Sequence, residues 1–291
     1  MATGNVNVTS AASFIPEMWR DAILDYAERK FQLRNQVLDF SSMVSSGGDI
    51  LNIPKVSEEV VNSSGKAADT SVVYERQTDA NIQLSLNEHH YNAKRIEDIV
   101  RVQESADLFN AYAQSMGYAL AKKVENFLAL KIQSATGNDV TLGTDNEITT
   151  ALLRSGLQKL LDKGHDYTDG ETYFYCSPAS YMYLMGLGEL TEAQKRGDEA
   201  NPISSGMIMQ TYGMPVYASV DWDDDGGSGD ESASIFKKDS IYFAQQIAPR
   251  VQSGYDIDHL ATRVVADTLF GAALSHGASD ADMGIVNFNN P

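Results

Sequence analysis

The side chains best spaced to hold an ion lie in the run D-W-D-D-D-G, where Asp221, Asp223 and Asp225 alternate ahead of Gly226. Alternate carboxylates followed by a turn-making glycine are how calcium loops surround one cation with oxygen. The twelfth position of such a loop, where a glutamate supplies two oxygens, is Ser232 here. Half of the charge scheme is missing. A solvated acidic loop is the favoured reading, with weak divalent-cation binding at a subunit contact as the other. Cys176 is the single cysteine, so neither an intrachain disulfide nor a multi-cysteine metal site can form. Its place between Tyr175 and Ser177-Pro178, at a strand end, suits a small core filler better than a nucleophile. His89 and His90 adjoin, but neighbours on a strand point to opposite faces, which argues against a shared metal.

Nucleotide and hydrolase motifs fail on their particulars. Gly186 and Gly188 begin a dinucleotide fingerprint but lack its third glycine and follow a helix rather than a strand. Gly65-Lys66-Ala67 lacks the hydroxyl residue and the upstream glycine of a phosphate loop. Neither G-x-S-x-G nor H-E-x-x-H occurs. The chemistry points away from an enzyme, and no cofactor is expected. Forty acidic against 22 basic residues give a net charge of −18. A dedicated nucleic-acid reader would need a basic footprint instead. Acidic surfaces suited to a high-salt or marine source explain that charge equally well. The start M-A-T-G-N-V-N-V-T-S has neither the basic nor the apolar region of a signal peptide. No run approaches the roughly 18 apolar residues of a membrane helix. The expectation is a soluble subunit made in the cytosol.

The elements that must position these residues follow from periodicity. Residues 1–12 are small and polar and read as an arm. Ser13 and Pro16 can start a helix running to about Lys30, with Trp19, Ile23, Tyr26 and Ala27 near one face. Gly47-Gly48 breaks the chain before a strand at 50–54. Residues 56–80 are acidic and rich in Val and Ser, too poor in large apolar residues to anchor a core. They read as a long exposed β-hairpin, with a structureless loop as the alternative. Ile82, Leu84 and Leu86 alternate with polar residues as a half-buried strand does, and the chain stays extended to about Val100.

A long helix is predicted from Glu104 to about Thr136, because Leu108, Tyr112, Met116, Leu120, Val124, Phe127 and Leu128 recur at three or four residues. Gly137 stands where a C-cap glycine belongs. Its heptad is not sustained, which favours a spine packed on a sheet over a coiled coil. The Thr144–Glu147 segment has the form of a capping box and predicts a helix to Lys163, closed by Gly164. Then come a strand at 171–176, a Ser-Pro-started helix at 178–186, a loop at 188–206 and a strand at 211–220. The acidic loop, a strand at 240–248 and a β-branched strand beginning at Arg263 complete the chain. Helices and strands mix without βα alternation, so the class is α+β.

Several blocks share their order with one family. They are F-I-P-E-M-W-R-D-A-I-L, G-G-D-I-L-N-I-P-K-V, N-I-Q-L-S-L-N-E-H-H-Y-N-A-K-R-I-E-D-I, the helix 104–136, T-Y-G-M-P-V-Y-A-S, and A-P-R-V-Q-S-G-Y-D-I-D-H-L-A-T-R-V-V-A-D-T-L-F-G. In this order they resemble the major capsid proteins of tailed bacteriophages, over nearly the whole chain. The resemblance implies the Hong Kong-type phage capsid fold. Its parts would be an N-terminal arm at 1–48, an extended loop with flanking strands at 49–97, a peripheral domain at 98–140 completed by 255–291, and an axial domain at 141–254.

It also implies subunits that form hexamers and pentamers and tile an icosahedral shell around double-stranded DNA, first as a procapsid and then as a mature head. The protein would be assembled in the host cytoplasm and found in the virion. Partners would be further copies of the chain, a separate scaffolding protein, a portal, a possible decoration protein, and DNA held without sequence-specific binding; no membrane is involved. Candidate intersubunit residues are Trp19 and Arg20 in the arm and Glu58, Glu59, Lys66, Glu75 and Arg76 in the loop. Some relatives cross-link a lysine to an asparagine; Lys66 is in the right loop, but no partner is identifiable and no bond is predicted. An encapsulin-type compartment shell is the alternative with the same fold. A calcium-dependent adhesion protein and a hydrolase with dispersed catalytic residues are the rivals from other classes.

Overall fold

A computed structural model describes residues 32–45, 47–55, 66, 68–69, 71–72, 80–98, 108–143, 147–187, 210–219, 222 and 231–289. After a 3-10 turn at Leu33–Gln36 come β1 (Leu38–Asp39), the single-turn α1 (Ser41–Val44), β2 (Ile50–Lys55), β3 (Ala80–Ser85) and β4 (Glu88–Glu97). The long helix α2 (Leu108–Gln133) precedes β5 (Val140–Thr141), α3 (Thr150–Asp162), β6 (Thr172–Cys176) and α4 (Pro178–Gly186). β7 (Gln210–Thr211), β8 (Met214–Ala218), β9 (Glu231–Lys237), β10 (Ile241–Asp256), β11 (Ala261–Leu274) and β12 (Ile285–Asn289) follow. The helix predicted from Ser13 to Lys30 lies outside the described residues.

The strands form a four-stranded sheet in the order β1-β10-β11-β4, a six-stranded sheet in the order β5-β12-β9-β6-β8-β7, and the separate pair β2-β3. β10, placed with segment 141–254 in the sequence, pairs along its length with β11 in the four-stranded sheet. β12, at the end of segment 255–291, pairs with β9 and β5 in the six-stranded sheet. The chain therefore crosses between the two large sheets three times, where the sequence segments imply two.

The apolar seam read from the sequence is the buried side of α2. Met116, Leu120, Val124, Leu128 and Ile132 are all at most 3% exposed. The carboxyl half of the helix packs on Phe236, Phe243, Phe270 and Ile285, which come from both large sheets. Its amino half covers Val251, Val264 and Ala266 of the β10–β11 pair. A second core lies where Leu153, Leu157 and Leu160 of α3 meet Phe174, Ile235, Val286 and Phe288. One long helix thus joins two sheets, and burying its aliphatic side chains stabilises each by roughly 1.5–3 kcal/mol.

Three expectations need correction. Gly137 does not cap α2, which ends four residues earlier. The helix carbonyls are instead met by Asn287, whose Nδ2 donates to Ile132, Gln133 and Ala135 at 3.1, 3.2 and 2.6 Å. Gly137 is required because the backbone of Asp280 passes within 2.2 Å of where a Cβ would stand. The Thr144 capping box does not start α3, because Thr149 does, its hydroxyl accepting from Leu152 N. The strand expected at 211–220 is a tight hairpin: Tyr212 and Gly213 both have positive φ, 49° and 85°. Two such residues in a row are the turn that matches strand twist.

Candidate assembly surfaces

β2 and β3 pair over six positions, from Ile50–Ser85 to Lys55–Ala80. Their root is firm. Leu84 and Leu86 sit in an apolar cluster with Val44 and Ala244, flanked by Phe40, Leu51 and Tyr242. Gly271 of β11 lets the Ser85 carbonyl approach to 2.1 Å of where its Cβ would be, so the two backbones pack directly. Leu86 N also donates to Asp49 O at 2.8 Å. Away from the root, Asn52, Pro54, Asn81 and Gln83 are exposed, and Asn81 Nδ2 donates to Asn52 Oδ1 across the strands. A two-stranded ribbon without cover is marginal in water on its own.

Of the loop charges singled out in the sequence, Lys66 lies among the described residues and is exposed. Glu58, Glu59, Glu75 and Arg76, together with Trp19 and Arg20 of the arm, lie outside them. So do Asp221, Asp223 and Asp225. Trp222, between two of those aspartates, is described: it is buried to 1% exposure, and its carbonyl accepts from Gln133 Nε2 at 2.6 Å. Trp222 is therefore a buried aromatic anchor within the acidic run. A tryptophan inside a run of aspartates was the signal for this. Among the described residues no three His, Cys, Asp or Glu side chains gather as a metal site, and no helix is long and apolar enough to cross a membrane.

Sequence reasoning missed a second surface. β10 and β11 continue paired to Asp256–Ala261, well past the strand expected at 240–248, and expose a tip. Ile257 is 77% and Leu260 64% exposed, with Tyr255 beside them. Charges fix the backbone under this tip. Asp256 accepts from His259 Nδ1 at 3.0 Å and faces Arg263, while Tyr255 OH donates to Asp98 Oδ2 at 2.7 Å. Burial pushes the Asp256 carboxyl up, but Arg263 and His259 outweigh it and leave the group below its usual range. Farther along the ribbon, Arg250 grips Asp267 with two bonds of 2.9 and 3.0 Å, and His89 Nε2 reaches the same carboxylate at 3.0 Å. The Arg250 hydrogen bond chiefly holds Asp267 below the ordinary carboxylate range. His90, on the opposite side of β4, meets Glu88 and the ring of Phe270.

A third exposed region lies on α4. Ser177 caps it through Ser180 N, and Pro178 occupies its first turn. Leu184 is buried in the second core, while Met182 is 69% exposed. Cys176, just before the helix, is fully buried, donates to Tyr217 O, and has its thiol pushed up to about 12 by burial. That is core packing, since a reactive cysteine needs an accessible thiolate.

A family model described as phage capsid protein matches residues 95–285. No curated protein matches the sequence. Among solved structures, one from Mycobacterium phage Che8 aligns with TM-score 0.71 and 23% identity, covering 88% of this chain and 89% of that one. The capsid structure of the cyanophage P-SCSP1u aligns with TM-score 0.69 and 14% identity, covering 88% and 86%. The mature capsid of bacteriophage PhiM1 gives TM-score 0.70 and 11% identity over the same shares. At these identities the likeness speaks to the fold, which is α+β and of the Hong Kong type.

Proposed function

The chain belongs to the phage capsid protein family, and from that premise we propose that it is the major shell subunit of a tailed phage. Copies assemble as hexamers and pentamers into a closed icosahedral shell around double-stranded DNA, with a precursor shell preceding the mature head. The observation that carries this reading is the β2–β3 ribbon, firmly rooted by Leu84 and Leu86 yet without a third strand among the described residues. Open strand edges invite pairing or packing with another chain. The ribbon, continued by residues 56–79, lies across a neighbouring subunit.

In this account the four-stranded sheet with α2 is the peripheral domain and the six-stranded sheet is the axial domain around the capsomer axis. Trp19, Arg20, Glu58, Glu59, Lys66, Glu75 and Arg76 contribute to contacts between subunits. The exposed tip at Tyr255, Ile257 and Leu260 supports a contact between capsomers, because an apolar cluster on a stiff, charge-braced ribbon gains by being covered. A scaffolding protein and a portal complete the assembly, and a decoration protein can bind the outer surface. The net charge of −18 keeps packaged DNA from adhering to the wall.

Electron microscopy of the purified full chain tests this. Closed shells or capsomer rings are expected; a protein that stays monomeric across assembly conditions contradicts it. Binding of the free subunit to duplex DNA at physiological salt would contradict the non-adhesive wall.

A further inference from the structure

The turn at Leu33–Gln36, helix α2 and the six-stranded sheet meet around a cavity with about 40 Å³ open to the centres of water molecules, lined by Gln32, Glu125, Tyr175, Ser219 and Trp222 among others. Polar groups converge there. Gln32 N donates to Glu125 Oε1 at 2.7 Å on one side. The rings of Tyr175 and Trp222 pack with centroids 5.2 Å apart on the other. Tyr175 is 3% and Trp222 1% exposed, yet the Tyr175 hydroxyl and Trp222 Nε1 have no hydrogen-bond partner among the described residues. Gln36, 7% exposed, stands outside this lining with its side chain within hydrogen-bonding reach of Tyr175.

Buried polar atoms left unmet are costly, and Trp222 Nε1 and the Tyr175 hydroxyl both belong to residues that line this cavity. A water needs roughly 10–15 Å³ of such space and two to four polar partners. The space and the partners are both present. We propose that this cavity is a structural hydration site, in which ordered water accepts from Trp222 Nε1 and bridges to the Tyr175 hydroxyl. Donor and acceptor roles agree: the indole donates only, and the phenol does either. The site ties the segment entering from residue 32 to the sheet that carries the root of the acidic loop.

The test is a reconstruction or crystal structure of the full chain at a resolution that reveals ordered solvent. A solvent peak is expected within about 3.2 Å of both Trp222 Nε1 and the Tyr175 hydroxyl. A cavity without density overturns the proposal. Solution exchange supplies a second reading, with Trp19→Phe leaving Trp222 as the single indole signal. Its Nε1 proton is expected to show a cross-peak to long-lived water, which Tyr175→Phe weakens; no cross-peak in the folded Trp19→Phe protein overturns the proposal as well.

Discussion

β10 and β11 pair from Ile241–Leu274 to Asp256–Ala261, with β4 beside them as a third strand and α2 beneath. β2 and β3 pair over six positions as a sheet of two. The longer pair closes its own hydrogen bonds, buries Val251, Val264 and Ala266 under the helix, and is braced by Asp267 and Asp256. The shorter pair spends its apolar residues at the root, through Leu84 and Leu86, and offers polar side chains farther out. A ribbon of the first kind is complete within one molecule. On the proposed reading a ribbon of the second kind gains order from a surface outside itself, so assembly and subunit stability should separate cleanly between them.

Removing residues 56–79 and joining the strands with a short turn gives the largest effect expected. The subunit remains folded by circular dichroism, and closed shells disappear from sedimentation profiles. Leu84→Ala comes next. It empties a fully buried position and costs about 2–5 kcal/mol, read as a lower denaturation midpoint. The loss is centred on the β2–β3 root, so amide exchange should accelerate there before it does in β10 and β11.

Asp267→Asn probes the longer pair, and its effect is smaller because Arg250 and His89 are each about half exposed. A loss of about 1 kcal/mol is expected. The sign with pH follows from the lowered carboxyl. Its stabilisation is complete above the unfolded value near 4 and is lost as pH falls through the folded value. Acid unfolding curves should therefore show the wild type losing its advantage over Asp267→Asn below about pH 4. The smallest effect concerns Cys176. Its buried thiol, pushed up to about 12, should stay unmodified by a thiol reagent at neutral pH in the native protein and react at once in denaturant.

What the sequence disclosed depended on whether a segment's signal was local. Ser177-Pro178 placed α4 at its observed bounds, because a cap and a first-turn proline act within one turn. The α2 seam and the alternation around Leu84 were plain for the same reason. β12 was not legible, since Ile285, Val286, Asn287 and Phe288 are all buried and show no alternation. The role of Asn287 as the partner of the α2 carbonyls depends on contacts more than 150 residues away. The candidate surfaces divided likewise. The extended loop stood out by composition, whereas the tip at Ile257 and Leu260 was hidden in a polar stretch and appears only once β10 and β11 are paired.

The most direct test is a reconstruction of assembled particles at a resolution that traces the chain between Lys55 and Ala80. The account requires that segment to lie on an adjacent subunit, with Lys66 at or near the contact. A segment folded back over its own subunit, in a particle that forms no closed shell, would contradict it.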